Sequence, residues 1–403
     1  MQKLTSTPLQ DAQKLSLDMI SDISPLKHFI SISSALGSVL AEDITCIKDL
    51  PSFNNSALDG YAIKYSDTGK KLFIKETIFA GDKRESILDN NQCFKIMTGA
   101  KIPKSADTIV AFEDAKLVDD KNVQIPKNIK KGNAFRKKGE EIAFGETLFS
   151  KGTLIDSAVL AMLASQGISQ IKVYKKITIG VFSTGNELKE PWEKADDDQI
   201  YNVNSTSLIA LFSTYGFEAD YCGVIPDNLE QSKKYFNQMK KYDVLVTTGG
   251  ISMGEADFVE DALLYNGLIS LFHGINIKPG RPTMIGKMEN TVVASMPGNP
   301  LAAYVNAFLL LIPMLKKLQG YNDYEHKFLK AKIAKDLKLK ANRSNLVLGK
   351  YEEGKFFVTG DNKYGSGMIT PLVHSNTLLV TEENQDLITK NEEINLICFK
   401  GIF

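Results

Sequence analysis

The stretch of residues 176–318 alternates short apolar runs with helical patterns, and this alternation restricts the possible folds more than any other feature of the sequence. Apolar runs at 177–185, 217–225 and 242–246 predict buried strands. Helices are predicted between and after them, at 205–215, 228–240, 255–265 and 300–318. Strands that alternate with helices form a parallel, doubly wound sheet, whose ligands bind outside the carboxyl ends of the strands.

The composition excludes several classes of protein. Lys plus Arg and Asp plus Glu number 48 each, so no overall field draws the chain to nucleic acid or to a membrane surface. The four cysteines show no CxxC spacing, which is typical of reduced thiols in the cytoplasm. The N-terminal residues lack the apolar segment of a signal peptide. The apolar run at 302–315 is too short to span a bilayer, so we interpret it as a core helix.

A chain of 403 residues is expected to form several domains. Helices are predicted within residues 7–24 and at 31–39, and a helix at 157–166 precedes a strand at 169–174. Between them, residues 63–142 read as short strands and turns, as do residues 326–403. We therefore predict a discontinuous linking domain (1–47 and 141–176), an inserted β-rich domain (48–140), an α/β domain (177–325) and a small C-terminal β domain (326–403).

The turn after the third predicted strand is the first candidate site. Its members are small, hydroxylated or free to adopt positive φ: Thr248, Gly249, Gly250, Ser252 and Gly254. A helix N-terminus follows, and such a strand–turn–helix can bind an anion with its free N–H groups. Asp257 places a carboxylate beside it, which favours a metal ion between acid and phosphate. The alternative is an ordinary tight turn with a helix-capping acid.

The ends of the other predicted strands supply further polar groups. Glu187 and Asp227 follow the first and second strands, so together with Asp257 three acids are expected at one edge of the sheet. Repulsion between them favours a shared Mg²⁺ ion. Two rigid loops are expected there as well, one with Lys278, Pro279 and Arg281 and one with Pro297 and Pro300. The sequence predicts a phosphate-and-metal site, with a merely acidic edge as the alternative.

The β-rich region contains two turns with candidate catalytic groups. Asp59 lies in a segment rich in Pro, Asn, Ser and Gly, and Thr98 precedes a glycine in MTGAKIP. The segment around Asp59 is either a surface loop or a binding loop in which Asp59 acts.

In combination, these motifs resemble those of the molybdopterin molybdenumtransferase family, which comprises bacterial MoeA and the C-terminal domain of gephyrin. The motifs that carry the resemblance are PSFNNSALDGYA (51–62), MTGAKIP (97–103), TTGGISMGEADF (247–258), KPGRP (278–282) and MPGNP (296–300). It extends from about residue 5 to the end of the chain.

The resemblance implies four domains and an elongated homodimer whose active site lies between the α/β domain of one chain and the inserted domain of the other. The implied reaction inserts molybdate into adenylylated molybdopterin, releases AMP and uses Mg²⁺. By the same resemblance, the catalytic acids and hydroxyl fall on Asp59, Thr98, Glu187, Asp227 and Asp257, of which Glu187, Asp227 and Asp257 are the metal ligands. Lys278, Arg343 and Ser366 fall on positions for phosphate and substrate binding.

The sequence also departs from the family pattern. Glu141 stands where Asp is usual, Leu58 where Met is usual, Ala302 where Ser is usual, and Leu348 where a basic residue is common. Two alternative functions remain, an enzyme like the molybdopterin adenylyltransferases and a scaffold protein like gephyrin. The resemblance implies as possible partners the adenylyltransferase and the molybdoenzymes that accept the cofactor.

Overall fold

The computed structural model describes residues 5–225, 228–250 and 258–399. These residues form two compact units, and each unit is described here by itself. One unit comprises residues 42–151 and 158–169, and the other comprises the described parts of residues 1–41, 152–157 and 170–403. The division into four domains with the bounds given above stays a prediction.

The smaller unit is built on a six-stranded sheet, which confirms the β-rich insertion. Its strands, in spatial order, are Thr108–Ala111, Gly60–Ile63, Gln92–Ile96, Lys71–Ile78, Asn122–Gln124 and Lys116–Asp119. Two short antiparallel ribbons accompany it, formed by Asn55–Ser56 with Phe135–Arg136 and by Ile44–Thr45 with Thr147–Phe149. Its apolar side chains form two clusters that contain Phe94 and Ile109 in one and Tyr61 and Val110 in the other. The helix Ser157–Ser165 extends into this unit.

A mixed six-stranded sheet forms the centre of the larger unit. Its strands, in spatial order, are Ala219–Ile225, Ile179–Thr184, Val244–Thr248, Thr291–Met296, Met284–Met288 and Leu268–His273. The first four are parallel to one another, and the last two are antiparallel to their neighbours. The predicted doubly wound, mostly parallel α/β sheet is thereby confirmed.

Both faces of the central sheet are buried, as a doubly wound fold requires. Val244 and Val246 pack into one apolar cluster, whereas Leu245, which points to the opposite face, packs into another. The first cluster includes side chains from the helices Leu9–Met19, Val203–Thr214 and Pro300–Leu318, and the second includes side chains from Leu229–Met239 and Phe258–Tyr265. The continuous apolar character of the strands in the sequence follows from this arrangement.

One predicted helix is wrong. Residues 31–39 form only a single 3₁₀ turn, Ile32–Ser34, after the strand Lys27–Ser31, which pairs with Gln170–Tyr174. Ala35 and Val39 are buried without forming a helix, whereas the apolar side chain of Leu36 between them is 67% exposed. Gly37 then adopts a φ of 76°, a left-handed conformation that ends any helix.

The C-terminal region forms a small barrel within the larger unit. Its strands are Ser344–Glu352, Lys355–Val358, Phe328–Ile333, Glu393–Cys398 and Thr377–Val380, and pairing of the first with the last closes the barrel. The short strand Ile277–Lys278, which comes from the α/β region, adds to the barrel beside Ser344–Glu352. This pairing fixes the position of Lys278 relative to the barrel.

The helical stretch Pro300–Leu318 is long and apolar enough to span a membrane, but 83% of its apolar window is buried inside the protein. It is a core element, as the sequence predicted. It consists of Pro300–Asn306, a π-helical turn at Ala307–Leu311, and Ile312–Leu318. Phe308 in the π-helical turn packs against Tyr215, His326 and Phe399.

His326 gives a test of this packing through the pH dependence of stability. Its ring lies 4.5 Å from that of Phe308, and its Nε2 lies 2.9 Å from the Phe308 carbonyl oxygen. Burial lowers the pKa of His326 to about 4. The histidine of the unfolded chain has a pKa of about 6.5. Between about pH 4 and about pH 6.5 the unfolded chain therefore binds a proton at this residue, whereas the folded chain does not. The folded state is therefore fully favoured above about pH 6.5 and loses stability as the pH falls towards about 4.

Because of His326, the parent should lose about 2 kcal/mol of its free energy of unfolding between about pH 7.5 and about pH 5. We expect His326→Gln to lack this part of the loss. Calorimetric or denaturant unfolding at the two pH values measures this difference. The exposed histidine His374 provides the control His374→Gln, which should follow the parent. Identical pH dependence in His326→Gln and the parent would show that the His326 ring is not held neutral by its burial.

Candidate active site

The carboxyl ends of four parallel strands lie along one edge of the central sheet. Ser183 pairs with Thr248, Thr184 with Ile225, and Thr248 with Met296. The strand ends Thr184, Ile225, Thr248 and Met296 therefore lie along the same edge. This is the arrangement that the sequence predicted for the loops that carry Glu187, Gly249 and Pro297.

Buried hydroxyl and amide groups hold this edge together. Ser183 Oγ donates to Asn202 Oδ1 at 2.9 Å and lies 2.7 Å from Ser205 Oγ and 3.1 Å from Thr248 Oγ1. Thr184 Oγ1 donates to the Thr248 carbonyl oxygen at 3.2 Å. Thr248 is almost fully buried and its hydroxyl is part of this network, so it is placed to position the turn.

Gly249 and Gly250 turn the chain sharply at the end of the central strand. Their φ angles are 81° and 66°, values that favour glycine. A Cβ atom on Gly249 would lie 2.8 Å from Thr184 Oγ1, and one on Gly250 would lie 2.5 Å from Val259 Cγ2. Both glycines are therefore required by space as well as by conformation. The predicted site residues Ser252, Gly254 and Asp257, together with Asp227, lie outside the described residues.

The loop with Pro297 packs directly against the glycine turn and against the barrel. A Cβ atom on Gly298 would lie 3.6 Å from Gly249 Cα, and the Gly298 carbonyl oxygen accepts a hydrogen bond from Asn204 at 2.8 Å. Asn299 Nδ2 donates to Ser366 Oγ at 2.9 Å. Pro300 is the first residue of the helix that follows. The predicted residues Pro297 and Ser366 are thus brought close to the glycine turn.

Lys278 lies between the α/β region and the barrel, in register with Asn345. Partial burial and the positive charges of Lys340 and Arg343 lower the pKa of Lys278. Arg343 directly precedes the paired strand, and its buried Nε has no hydrogen-bond partner in the described part of the chain. A bound anion would be stabilising here, because it would offset the repulsion between the positive charges and could accept a hydrogen bond from the unsatisfied guanidinium nitrogen.

A cavity of about 360 Å³ occupies the junction. Four predicted residues line it: Lys278, Pro279, Pro297 and Ser366. Its wall contains one ammonium group together with amide and hydroxyl groups, and no carboxylate among the described lining residues. Its volume is within the range of about 300–1,000 Å³ that small-molecule sites occupy. The cavity is suited to a small anion or an anionic part of a larger ligand.

The other predicted substrate-binding residues have different positions. Arg281 and Pro300 do not line the cavity, and Arg343 acts on Lys278 only through its charge. The lining residues that were not among the predicted site residues include Asn345, Asn362 and Tyr364. Tyr364 lies two residues before the predicted Ser366, and this proximity was the one available signal. Asn345 reaches the cavity through the pairing of its strand with Ile277–Lys278, and Asn362 through the short 3₁₀ segment Thr359–Asn362, and no local pattern reveals either position.

Tyr364 is held as a neutral hydrogen-bonding group. Burial raises its pKa to about 12, and its hydroxyl oxygen accepts a hydrogen bond from the Leu348 backbone N–H at 2.8 Å. The phenolic proton therefore remains on the ring at neutral pH and can be donated to a ligand.

Glu187 is the one predicted metal ligand within the described residues. Its two carboxylate oxygens each lie 2.7 Å from the position of a Cβ on Gly185, so the acid folds back over the strand end. The part of the chain that the structure describes contains no group of three His, Cys, Asp or Glu residues that could hold a metal ion. Glu187 alone does not make a Mg²⁺ site, and the other two predicted ligands lie outside the described residues.

In the smaller unit, the structure brings the two predicted catalytic residues together. Asp59 Oδ1 accepts hydrogen bonds from the backbone N–H and the hydroxyl of Thr98, both at 2.7 Å. These two bonds, that from the backbone first, lower the pKa of Asp59. Thr98 thus orients an ionised, solvent-exposed carboxylate, although the two residues are far apart in the sequence.

Comparisons with known proteins agree with these observations along nearly the whole chain. Three family models match: the MoeA N-terminal region (domain I and II) at 7–167, a probable molybdopterin binding domain at 180–317, and the MoeA C-terminal region (domain IV) at 330–399. The molybdopterin molybdenumtransferase of Haemophilus influenzae is 32% identical over 93% of this chain and 94% of its own length.

Two further relatives extend the comparison. The gephyrin of Dictyostelium discoideum is 31% identical over 78% of this chain, which spans 50% of that protein. The crystal structure of the molybdopterin biosynthesis moeA protein from Pyrococcus horikoshii OT3 superposes with a TM-score of 0.85 at 29% identity. The superposition covers 98% of this chain and 100% of the Pyrococcus horikoshii chain. The fold, the match to all three family regions and the similarity over the full length show that this chain belongs to the molybdopterin molybdenumtransferase (MoeA) family.

Proposed function

We propose that this protein inserts molybdate into adenylylated molybdopterin, releases AMP, and does so with Mg²⁺ in the cytoplasm. Membership of a family whose named members are molybdopterin molybdenumtransferases supports an enzyme of molybdenum cofactor biosynthesis. The single structural observation behind the finer proposal is the cavity at Lys278, which has a cation and several neutral donors and no described carboxylate. Molybdate is a dianion and needs such donors.

In the proposed reaction, the groups of the cavity hold the oxyanion substrate. The Lys278 ammonium, the side-chain amide of Asn299 and the Tyr364 hydroxyl can each donate a hydrogen bond. These donors come from different elements that are fixed by strand pairing and by the contact between Asn299 and Ser366. Little reorganisation is then needed when the anion binds, which is the condition for electrostatic stabilisation of a developing charge.

Asp59 supplies a second function in this proposal. The two hydrogen bonds from Thr98 leave its other carboxylate oxygen, Oδ2, without a partner that the structure describes. That oxygen is available to position a water molecule or a cation near the phosphoanhydride bond whose cleavage releases AMP. Because the pKa of Asp59 is lowered, the group is ionised throughout the neutral range.

Mg²⁺ remains part of the proposal through Glu187, Asp227 and Asp257, the three acids predicted at the carboxyl edge of the sheet. Bound there, the ion would neutralise negative charge on the phosphates. The exposed carboxylate of Glu187 stands next to the end of a parallel strand, as such a ligand requires.

We also propose that the protein is a homodimer, in which Asp59 of one chain and Lys278 of the other serve the same reaction. The molybdopterin adenylyltransferase and the acceptor molybdoenzymes are proposed as further partners. Incubation of the pure protein with adenylylated molybdopterin, molybdate and Mg²⁺ tests the proposal. Molybdate-dependent AMP and active cofactor are expected. An adenylyltransferase would instead form adenylylated molybdopterin from ATP, and a scaffold protein would do neither.

We expect Asp59→Asn to fold normally and to lower molybdate-dependent AMP release by about a hundredfold or more, because it removes a charge that Thr98 holds in place. The rate of AMP release at saturating substrate measures this loss. Asp120→Asn, at an exposed acid of the same unit, is the matched control and should keep the parent rate. If Asp59→Asn retains near-parental turnover, Asp59 is a structural acid.

Lys278→Gln should raise the KM for molybdate by about tenfold or more, since it removes a charged donor from the cavity wall. Arg281→Gln provides a control on the same loop, because Arg281 is exposed and does not line the cavity. Steady-state kinetics with varied molybdate separate the two variants. Equal effects of both would mean that the loop contributes only a general positive charge.

The dimer proposal predicts complementation between two impaired variants, assayed at a molybdate concentration well below the raised KM of Lys278→Gln. A mixture of Asp59→Asn and Lys278→Gln chains should form about half heterodimers, each with one intact site and one doubly altered site. AMP release should then recover to about a quarter of the parent value, measured after subunit exchange is confirmed with a tag pull-down. No recovery in exchanged mixtures would place both residues in the site of a single chain.

A further inference from the structure

Glu190 is a half-buried acid that connects a short ribbon to the central sheet. It directly follows the strand Leu188–Lys189, which pairs in parallel with Ile200–Tyr201. One of its carboxylate oxygens, Oε1, accepts two hydrogen bonds, one from the Tyr221 hydroxyl and one from the side-chain amide of Asn202 at 3.2 Å. Burial first, and then the bond to Glu190, raise the pKa of Tyr221. The phenol therefore keeps its proton at neutral pH and donates it to the carboxylate.

The Asn202 amide has only one orientation that satisfies its neighbours. Its Nδ2 donates to the Glu190 carboxylate and, at 3.0 Å, to the Tyr221 hydroxyl oxygen. Its Oδ1 accepts a hydrogen bond from the Ser205 backbone N–H at 3.3 Å. An ionised carboxylate can only accept and a backbone N–H can only donate, so the amide cannot be reversed. Asn202 is almost fully buried, and its orientation is therefore determined by the protein from both sides.

This orientation determines the direction of the hydrogen bonds between three buried hydroxyl groups. Ser183 has one hydroxyl proton and donates it to Asn202 Oδ1 at 2.9 Å. Ser205 Oγ, at 2.7 Å from Ser183 Oγ, and Thr248 Oγ1, at 3.1 Å, must then both donate to Ser183. Thr248 is the last residue of its strand and precedes the glycine turn. A directed chain of hydrogen bonds thus runs from Glu190 to the start of that turn.

The ribbon gives Glu190 a second connection to the carboxyl edge. The Ile200 backbone N–H donates to the Glu187 carbonyl oxygen at 3.0 Å, and the Asn202 backbone N–H donates to the Lys189 carbonyl oxygen at 2.8 Å. Glu187, the predicted metal ligand, therefore stands at the beginning of the ribbon, and Glu190 anchors the end of its first strand. Loss of the anchor would loosen the segment that carries Glu187.

We propose that Glu190 is a positioning residue for the reaction, which acts through Asn202 on the hydroxyl groups before the glycine turn and through the ribbon on Glu187. This inference rests on the proposed function, in which Mg²⁺ and the substrate phosphates bind at the carboxyl edge of the sheet. Without Glu190, the buried Nδ2 of Asn202 loses an acceptor and the amide is free to rotate. A displacement of about 1 Å near reacting groups can lower a rate by about a hundredfold.

A reversal of donor and acceptor between positions 190 and 202 tests the proposal. Asn202→Asp places a second carboxylate oxygen 3.2 Å from Glu190 Oε1. The repulsion should lower kcat for molybdate-dependent AMP release by about tenfold or more. In Glu190→Gln/Asn202→Asp, the reciprocal variant, the amide at position 190 donates to the carboxylate at position 202. The reciprocal variant should recover about half of the parental kcat or more, because each group again has its partner.

Two single variants separate the hydrogen bond from the charge of Glu190. Glu190→Gln keeps an acceptor oxygen and should retain most of the parental kcat, whereas Glu190→Ala should lose as much as Asn202→Asp. The KM for molybdate should stay within about twofold of the parent in all of them, since the cavity at Lys278 is not part of the network. Circular dichroism and thermal unfolding confirm that each variant is folded at the assay temperature.

The same sheet provides a matched control at its opposite end. The Tyr242 hydroxyl donates to Asp220 Oδ2 at 2.8 Å, beside the beginning of the strand Val244–Thr248. Asp220→Ala removes this tyrosine–carboxylate bond and should keep the parental kcat. Equal falls of kcat in Asp220→Ala and Glu190→Ala, parental kcat in Asn202→Asp, or a folded reciprocal variant without recovery would each overturn the proposal.

Binding of inorganic pyrophosphate with Mg²⁺, measured by isothermal titration calorimetry, distinguishes failure of this inference from failure of the proposed function. AMP release by the parent, with parental kcat in Asn202→Asp, rejects the role of Glu190 and leaves the function standing. Pyrophosphate affinity that falls in Asn202→Asp and returns in the reciprocal variant, without any AMP release by the parent, rejects the molybdenum insertion and leaves Glu190 as the positioning residue of an anion site. A parent that neither binds pyrophosphate nor releases AMP overturns both.

Discussion

The parallel pairing of the strand Val244–Thr248 with both of its neighbours is the constraint on which the rest of the larger unit depends. The register places the ends of four strands at one edge of the sheet, and it fixes the position of each strand end relative to the others. The buried hydroxyl groups of Ser183, Ser205 and Thr248 satisfy one another at that edge, where unpaired polar groups would cost about 1–3 kcal/mol each. This network allows the edge to be both polar and rigid.

The second constraint is the junction between this edge and the barrel. Its connections include the pairing of Lys278 with Asn345 and the hydrogen bond from Asn299 to Ser366. Asn306 adds support, since its Nδ2 donates to the Gly280 carbonyl oxygen at 2.8 Å and to Thr283 Oγ1 at 2.7 Å. The cavity walls are therefore backbone segments held at both ends, which positions donor groups more accurately than a free loop would.

Local patterns in the sequence predicted the elements that bury a regular apolar face. The central strands and the helices Val203–Thr214 and Leu229–Met239 were predicted because continuous apolar runs and helical spacing reflect burial directly. The helix at 31–39 was predicted wrongly because Ala35 and Val39 are buried in irregular backbone, between the strand Lys27–Ser31 and the left-handed residue Gly37. An apolar spacing indicates burial, but over so short a segment it does not determine the backbone conformation.

The same distinction applies to the candidate site. Lys278, Pro279 and Pro297 could be predicted because rigid turn residues at strand ends have a known location in doubly wound sheets. Asn345 could not, since its position depends on the pairing of strands that are distant in the sequence. Asn362 could not either, since it lies in a short 3₁₀ segment that only the folded barrel brings to the cavity. Arg343 came only from the resemblance to the family, and its unsatisfied Nε is visible only in the folded chain.

Leu348 stands where a basic residue is common in the family, yet the barrel still contributes polar groups to the cavity. Leu348 is 1% exposed and belongs to the apolar cluster, so a charged side chain in this position would have to be buried at considerable cost. Its backbone N–H donates to the hydroxyl of Tyr364, which lines the cavity. Asn345, Asn362 and Ser366 add polar groups from the same barrel. The barrel therefore contributes neutral polar groups to the cavity where a basic residue is common in the family.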